Sequence, residues 1–249
     1  MFQTNTIRAL LFDYGGTLDT DGRHWAHVLW EGFQEATSAV SYEAFREAYV
    51  YAERTLAKQR IILPEDHFGI LLYKKVDLET AYLVAHGHWA VDEVTRLAVT
   101  TRIANYCYAY AQQHVAKALP VLEALRQHYR LILVSNFYGN VEAVLADFGL
   151  AHCFEQIVES AVVGVRKPDP AIYALGVEAA GVAAHQAVVI GDSWSKDMVP
   201  AAAVGCARIW VKGDGWDNKE EDPALLHQAD AVVYRIEDIL PLLLPATAE

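Results

Sequence analysis

The feature that most constrains the fold is a regular alternation that begins near residue 119. Short apolar runs of strand length are separated by amphipathic stretches of helical length. A strand buried on both faces gives such a continuous apolar run, so the pattern predicts a parallel sheet with helices on both sides. The predicted strands are residues 131–135, 187–190, 207–211 and, at an edge, 231–234. The predicted helices are residues 120–128, 141–148, 170–180 and 195–204.

The N-terminal half of the chain has a different pattern. Residues 7–12 form one more apolar run of strand character, but residues 21–118 contain none, and their apolar side chains recur at helical spacing. An all-helical segment therefore interrupts the α/β domain after its first strand. We predict a doubly wound, Rossmann-like parallel-sheet core made of residues 1–19 and 119–249, with residues 20–118 as an inserted all-helical domain.

Composition excludes several classes of function. The 249 residues are 53% hydrophobic, which is enough to fill a sizeable core. With 20 basic against 32 acidic residues the formal charge is -12, and such a surface repels nucleic acid and anionic membranes. We therefore predict neither nucleic acid nor a membrane as a partner, and the sequence says nothing about oligomeric state.

Cysteine usage and the N-terminus bear on the cellular compartment. Cys107, Cys153 and Cys206 are odd in number, widely spaced and free of any CxxC pair, as is typical of buried thiols in a reducing cytoplasm. The apolar run near the N-terminus is too short for a secretory signal, and no run approaches membrane-spanning length. We expect a cytoplasmic protein.

Polar residues that could take part in catalysis or ligand binding cluster in four short segments, most of them directly after a predicted strand. In parallel α/β sheets, ligands gather at the carboxyl ends of the strands. We therefore expect side chains from these segments to share one edge of the sheet. The segments read FDYGGTL at residues 12–18, VSN at 134–136, GVRKPDP at 164–170 and GDSWSKD at 191–197.

Taken in this order, strand-DxxGTL, strand-SN, KPxP and GDSxxxD resemble the four motifs of the haloacid dehalogenase (HAD) superfamily. Each motif is weak by itself, but their order and their positions at strand ends make the resemblance specific. It extends over most of the chain, because the helical insert resembles the C1-type cap of that superfamily. The resemblance implies a magnesium-dependent hydrolase that acts on a small phosphorylated metabolite through an aspartyl-phosphate intermediate.

The resemblance also implies roles for individual acids. Asp13 would be the nucleophile, and it would share a Mg²⁺ ion with the carbonyl of Gly15 and with Asp192. Asp197 would have a supporting part, as a water-mediated metal ligand or as a partner of Lys167. The competing interpretation of Asp192 and Asp197 is ordinary helix capping.

The same segments offer groups for the phosphoryl oxygens. A fixed ammonium at Lys167 would offset the charge of the carboxylates and the substrate, an effect that is usually large in phosphoryl transfer. By the same resemblance, Ser135 and the amide of Asn136 would hold phosphate oxygens, and Thr17 would help to position the same group. In the insert, residues 23–25 (Arg, His and Trp) follow the catalytic loop most closely and are the best candidates to reach the substrate.

One position departs from the superfamily pattern. Most phosphatases of the superfamily have a second aspartate two residues after the first, and this acid protonates the leaving oxygen and later activates water. The chain has Gly15 at that position. A glycine keeps the backbone carbonyl for a metal, but the loss of a general acid typically costs a factor of about 100 to 10,000 in rate.

Three explanations of this glycine stay open. The protein could be a phosphatase of weak or narrow activity, in which water, Tyr14 or His24 replaces the acid. It could be a carbon-phosphorus hydrolase that forms an imine through a lysine of the insert. It could also be a binding or regulatory protein that keeps the pocket without turnover. A metal-free dehalogenase fits less well, because the acidic pair of the last motif is retained. The candidate lysines for an imine are Lys58, Lys74 and Lys75.

Overall fold

A wholly parallel six-stranded sheet forms the centre of the α/β part. The computed structural model describes residues 4–215 and 222–244. The strands are β1 (Ala9–Phe12), β2 (Arg130–Ser135), β3 (Gln156–Glu159), β4 (Ala187–Gly191), β5 (Ala207–Val211) and β6 (Ala231–Val233). Their order across the sheet is β3-β2-β1-β4-β5-β6. The predicted parallel sheet is therefore confirmed, with β6 at an edge.

The central strand β1 is buried on both faces. Leu10 and Phe12 pack into one apolar cluster, together with side chains of the helical insert, whereas Ala9 and Leu11 pack into a second cluster on the other face. Successive side chains of a strand point to opposite faces, so two cores require an apolar residue at every position. This requirement explains the continuous apolar run in the sequence.

The edge strand β3 was not predicted. It has only four residues, QIVE, and only Val158 and Glu159 among them are buried. A half-exposed strand with two polar residues gives no apolar run. The sheet therefore extends one strand further, beyond β2, than the sequence indicates.

Helices and the loops between them make up the rest of the described chain, and residues 20–118 contain four long helices and no strand. No helix of the described residues is both long and apolar enough to cross a membrane. The four helices of the insert are α1 (Trp25–Ala36), α2 (Tyr42–Lys58), α3 (Phe68–Ala85) and α4 (Glu93–Leu125). Those that follow are α5 (Val141–Asp147), α6 (Ser160–Val163), α7 (Ala171–Ala180), α8 (Val199–Val204), α9 (Pro223–Leu226) and α10 (Leu240–Leu243).

The domain boundary predicted after residue 118 falls inside α4. That helix continues through Pro120, so the separate helix predicted for residues 120–128 is wrong and is largely the last part of α4. Proline lacks a backbone N–H and commonly begins a helix, which is why the sequence suggests a start there. The buried face of α4 nevertheless continues from Ala118 through Val121 and Leu122, and this packing outweighs one missing hydrogen bond. The division into two domains stays a prediction.

Two features around the last two motifs refine the predicted helices. Asp169 accepts a hydrogen bond from the backbone N–H of Ala171 at 2.9 Å, as expected of a residue that caps α7. The helix predicted for residues 195–204 is instead a π-helical turn, Trp194–Met198, followed by α8. Turns of this wider kind are common at functional sites.

Candidate active site

The carboxyl ends of β1, β2 and β4 bring the motif residues to one edge of the sheet. Phe12 pairs in register with Leu133 of β2 and with Ile190 of β4, so the three strands end close together. Asp13 leaves the end of β1, while Ser135 closes β2. The side chains that the sequence analysis assigned to one edge are therefore neighbours in space.

The ammonium of Lys167 lies between two carboxylates. Its Nζ atom is 2.6 Å from Asp13 Oδ1 and 2.7 Å from Asp197 Oδ1. The three side chains are 2%, 9% and 1% exposed, in that order. Burial acts to lower the pKa of Lys167, but the two acids hold it above its ordinary value. The lysine is therefore a fixed cation beside Asp13.

Three acids form one cluster, in which Asp13 and Asp197 are buried and Asp192 is half-buried. Asp13, Asp192 and Asp197 each offer a carboxylate oxygen, and these oxygens all lie within 4.8 Å of one another. Burial, followed by repulsion from the other two acids, raises the pKa of Asp192 well above its ordinary value, and burial also raises that of Asp13. Three acids against one ammonium leave an excess of negative charge that a divalent cation would offset, and hard oxygens are the donors that Mg²⁺ prefers.

Asp197 is already supplied with donors. Its Oδ1 atom accepts a hydrogen bond from the Tyr173 hydroxyl at 2.6 Å in addition to the contact with Lys167, and its Oδ2 atom accepts one from the Ser193 N–H at 2.9 Å. Asp197 is thus less available to a metal than Asp192, whereas metal binding by Asp13, Asp192 and the Gly15 carbonyl stays a prediction. Tyr173 was missed in the sequence, where a tyrosine on the helix after KPDP looks like an ordinary core residue.

Of the predicted phosphate-binding residues, Ser135 and Asn136 line the cavity beside the three acids, whereas Thr17 does not. Ser135 lines the cavity and donates to Asp13 Oδ1 at 3.3 Å. Thr17 is wholly buried, and its hydroxyl donates to Asp192 Oδ1 at 3.1 Å, so it holds an acid and is not part of the cavity wall. The side-chain amide of Asn136 holds the backbone of Lys167 through contacts of 2.9 and 3.1 Å. Phosphate binding by Ser135, Asn136 and Thr17 stays a prediction.

The two glycines that follow Asp13, Gly15 and Gly16, have different steric constraints. A side chain at Gly16 would collide with the Asp192 carboxylate, since a Cβ atom would lie 2.4 Å from Oδ2, and its φ of 97° is in the left-handed region. Gly15 has no positive φ, and a Cβ atom built on it would meet nothing within 4 Å. The position that lacks the superfamily's second aspartate therefore has room for one.

A cavity of about 560 Å³ separates the sheet edge from the helical insert. We name its two sides by their residues. His24 and Trp25 of the predicted residues 23–25 line it, whereas Arg23 forms an ion pair with Glu31 at 2.6 Å. The core wall comprises Asp13, Gly15, Ser135, Asn136, Lys167, Asp192 and Asp197. The cap wall comprises His24, Trp25, Tyr49, Glu53, Phe68 and Lys75.

Neither of the two side chains proposed as substitutes for the missing acid is suited to the task. The Tyr14 hydroxyl is buried without a hydrogen-bond partner in the described chain, lies outside the cavity wall, and has a pKa raised far above its ordinary value, first by burial. Burial and then the charges of Lys196 and Lys75 lower the pKa of His24 to about 3, so its imidazole is neutral at physiological pH. A neutral imidazole is a poor proton donor at that pH.

Asp19 is an additional buried acid near Asp13 that the sequence analysis did not single out. Burial raises its pKa to about 7. Its two oxygens accept hydrogen bonds from the Gly16 N–H at 2.7 Å and from Trp25 Nε1 at 2.9 Å. Asp19 therefore ties the catalytic loop to the first residue of α1, and both of its oxygens are engaged in that role.

Comparison with known proteins bears directly on this arrangement. The family model described as haloacid dehalogenase-like hydrolase matches residues 7–205, which include all four motifs. The chain belongs to this family.

Relatives within the family include phosphatases. The chain is 34% identical to a phosphoserine phosphatase of Thermus thermophilus over 105 residues, which is 41% of this chain and 42% of the relative. It is 33% identical to a phosphoglycolate phosphatase of Rhodospirillum rubrum over 129 residues, 49% of this chain and 53% of the relative. The chain thus matches about half of these relatives' length.

A solved structure supports the fold. The HAD-hydrolase YfnB from Bacillus subtilis, in a crystal structure bound to magnesium, superposes with a TM-score of 0.58 at 18% identity, covering 95% of this chain and 98% of that one. The α/β architecture is therefore shared over nearly the full length.

Proposed function

We propose that the protein is a Mg²⁺-dependent phosphatase that hydrolyses a small phosphorylated metabolite through a phosphoryl group on Asp13. The observation that supports this most is the Lys167 ammonium fixed at 2.6 Å from a buried Asp13 carboxylate. A carboxylate next to a fixed cation and a metal-compatible acid cluster can attack phosphorus without prohibitive charge repulsion. The phosphatases among the relatives support the same class of substrate.

The reaction would proceed in two displacements. An oxygen of Asp13 forms a bond to phosphorus, and the bond from phosphorus to the leaving oxygen breaks, with its electron pair passing to that oxygen. Water then forms a bond to the same phosphorus while the bond from phosphorus to the Asp13 oxygen breaks, with its electron pair returning to the carboxylate. The attacking water gives its proton to solvent, and inorganic phosphate is released. Lys167 offsets the charge on the phosphoryl oxygens, and a bound Mg²⁺ would add Lewis-acid stabilisation.

A carbon-phosphorus hydrolase is supported less well. Among the three candidate lysines only Lys75 lines the cavity; Lys74 instead contacts Asp66 at 2.5 Å, and Lys58 lies in a groove on the other side of α2. Burial acts to lower the pKa of Lys75, but Glu53 and other neighbours hold it well above its ordinary value. Imine formation needs the neutral amine, so Lys75 is in the wrong protonation state for that chemistry.

The experiment that tests the proposal is turnover of a panel of phosphate esters with Mg²⁺, with Asp13→Asn as the blank. The control is Asp169→Asn, because Asp169 is exposed and an asparagine can still cap α7. We expect release of inorganic phosphate by the parent and the control, and none above background from Asp13→Asn. Acid quench during turnover should leave one phosphoryl group on the peptide that contains Asp13, as detected by mass spectrometry.

Two results would contradict the proposal. Turnover by Asp13→Asn equal to that of the parent would show that another group attacks phosphorus. Absence of turnover from the parent on every ester, with phosphate bound all the same, would favour a protein that binds without catalysis.

A further inference from the structure

The cap wall contains an ion pair that the phosphoryl chemistry does not use. Glu53 of α2 is paired with Lys75 of α3, and both line the cavity. The Lys75 side chain is 7% exposed, whereas that of Glu53 is 37% exposed. Glu53 is therefore the more accessible member of the pair, and Lys75 is the buried one.

Hydrogen bonding leaves part of this carboxylate open. Glu53 Oε1 contacts Lys75 Nζ, and the Tyr138 hydroxyl is 3.3 Å from Oε1 and 3.4 Å from Oε2. A hydroxyl has one proton to share between the two oxygens, while a carboxylate offers about four acceptor positions. Oε2 thus keeps capacity for a further donor.

The charges around the pair keep Glu53 ionised. Burial acts to raise the pKa of Glu53, but Lys75 and then the hydrogen bonds hold it below its ordinary value. Glu79, one turn after Lys75 on α3, is buried and unpartnered in the described chain, and burial raises its pKa to about 8. Glu79 is therefore mostly neutral near pH 7, and the charge of Lys75 is left to Glu53.

Aromatic rings line the space in front of this acid. Tyr49 lies with its ring 4.7 Å from Lys75 Nζ, and the rings of Trp25 and Phe68 pack edge to face at 5.5 Å. Such faces favour an apolar or ring-shaped body, and they favour a cation over an anion. Arg54 also lines the cavity, but it is exposed and also lines the groove on the other side of α2 in which Lys58 lies. Water therefore screens its charge.

We propose that the leaving group of the substrate ends in a hydrogen-bond donor, a hydroxyl or an ammonium, which binds Glu53 of the cap wall while the phosphoryl group lies on Asp13. This inference rests on the proposed phosphatase function. A leaving group that ends in a carboxylate is disfavoured, because it would place two anions in contact. Lys75 and Tyr138 are positioning residues for Glu53.

The test uses four aryl phosphates that differ only in the para substituent: methyl, hydroxymethyl, aminomethyl and carboxymethyl. The saturated carbon insulates each polar end from the ring, so the leaving groups have similar acidity and the chemical step is held nearly constant. We expect kcat/KM for the hydroxymethyl or the aminomethyl ester to exceed that of the methyl ester about 10-fold, and the carboxymethyl ester to be the poorest. The ratio of the two donors identifies which of them the site prefers.

Glu53→Gln is the test variant and Glu47→Gln the matched control. Glu47 lies on the same helix but outside this cavity, where it faces His88 at 3.3 Å. Glu53→Gln should reduce the preference for the aminomethyl over the carboxymethyl ester at least about 10-fold, whereas Glu47→Gln should keep the parent's ratio. Since each ratio is taken within one protein, a change in folded fraction cancels.

The outcomes separate this inference from the proposed function. Equal turnover of all four esters by the parent, or a preference for the carboxymethyl ester, overturns the inference and leaves the phosphatase standing. If no ester is hydrolysed, the phosphatase fails, and the donor preference is then read from calorimetric binding of benzylphosphonates with the same four para ends. An unchanged binding ratio in Glu53→Gln would overturn the inference there too.

Discussion

The two walls of the cavity differ in how completely their charged side chains are paired. On the core wall, Lys167 contacts two carboxylates, and Asp197 accepts hydrogen bonds from three donors. On the cap wall, Lys75 contacts the single carboxylate of Glu53. Behind the cap wall, Glu79 has no hydrogen-bond partner among the described residues. The pairing of Lys167 and Asp197 is thus a closed network, whereas Glu53 on the cap wall keeps an open acceptor.

This difference teaches how the site divides its tasks. Charges that hold one another in place need little rearrangement when a transition state forms, which suits a wall that performs one reaction. An acceptor that faces open space becomes satisfied only when a suitable group arrives, which suits a wall that selects substrates. We therefore expect changes on the core wall to affect all substrates and changes on the cap wall to affect them unequally.

The largest expected effect is that of Asp192→Ala. Removal of this acid takes away a ligand that the proposed Mg²⁺ requires, so turnover should fall on the order of 1,000-fold or more on every ester. The melting shift induced by Mg²⁺ should disappear as well. Asp230→Asn, a change at an exposed acid before β6, should keep both properties. Full turnover by Asp192→Ala in the presence of a chelator would show that the core wall does not work through a metal.

Gly15→Asp is expected to have the next largest effect, and it sharpens the account of the missing acid. Because the position has open space and no positive φ, the loop should tolerate the side chain. Alkyl esters should then gain up to about 100 to 10,000-fold in kcat, with aryl esters much less changed. Gly16→Ala, one residue on, should instead abolish activity through its clash with Asp192. An unchanged ratio of alkyl to aryl turnover would mean that an acid already acts from elsewhere.

Much of the core wall could be predicted from sequence because it follows strand ends. Asp13 and Asp192 come just after apolar runs, and parallel strands end at one edge, so periodicity is enough to bring them together. Lys167 needed the motif resemblance, because nothing in a loop lysine's own surroundings predicts that it will be buried. The edge strand β3 was not predicted because it is too short and too polar to form an apolar run.

The cap wall could not be predicted in the same way. Glu53 and Lys75 lie on different helices, and helical periodicity marks their apolar neighbours but not which polar residue turns inward. Tyr173 and Asp19 are hidden for a related reason, since a buried tyrosine and a loop acid are both common without a site. The pairing of Glu53 with Lys75 depends on how α2 and α3 pack, which a single sequence does not specify.

Glu79→Gln tests the effect of the unpartnered acid of the insert on stability. The folded protein keeps a proton on Glu79 up to about pH 8, whereas the unfolded chain releases it near the ordinary value of 4.5. Folding therefore becomes less favourable as pH rises between these values, by about 3 to 5 kcal/mol in total for this group, and levels off above pH 8. Glu79→Gln should remove that slope from urea unfolding measured at pH 5 and pH 9. The exposed Glu43→Gln should keep it; an equal slope in both variants would mean that Glu79 is paired.

The smallest effect we predict is that of Tyr173→Phe, which removes one hydroxyl from behind the core wall. Asp197 would lose the donor at 2.6 Å but keep Lys167 and the Ser193 N–H, and the phenyl ring would still lie beside the Lys167 ammonium. One hydrogen bond to a charged acceptor suggests a loss of roughly 10-fold in kcat with little change in KM, since Tyr173 does not line the cavity. Tyr129→Phe is the matched control, because its hydroxyl contacts the Leu243 carbonyl at 2.5 Å, away from the site, and its loss should lower stability without lowering kcat. The decisive measurement is the factor by which kcat falls on each of the para-substituted esters. An equal factor on all of them would mean that Tyr173 supports the chemical step. A factor that varies with the substituent would mean that the core wall also selects substrates and that the tasks of the two walls are not separate.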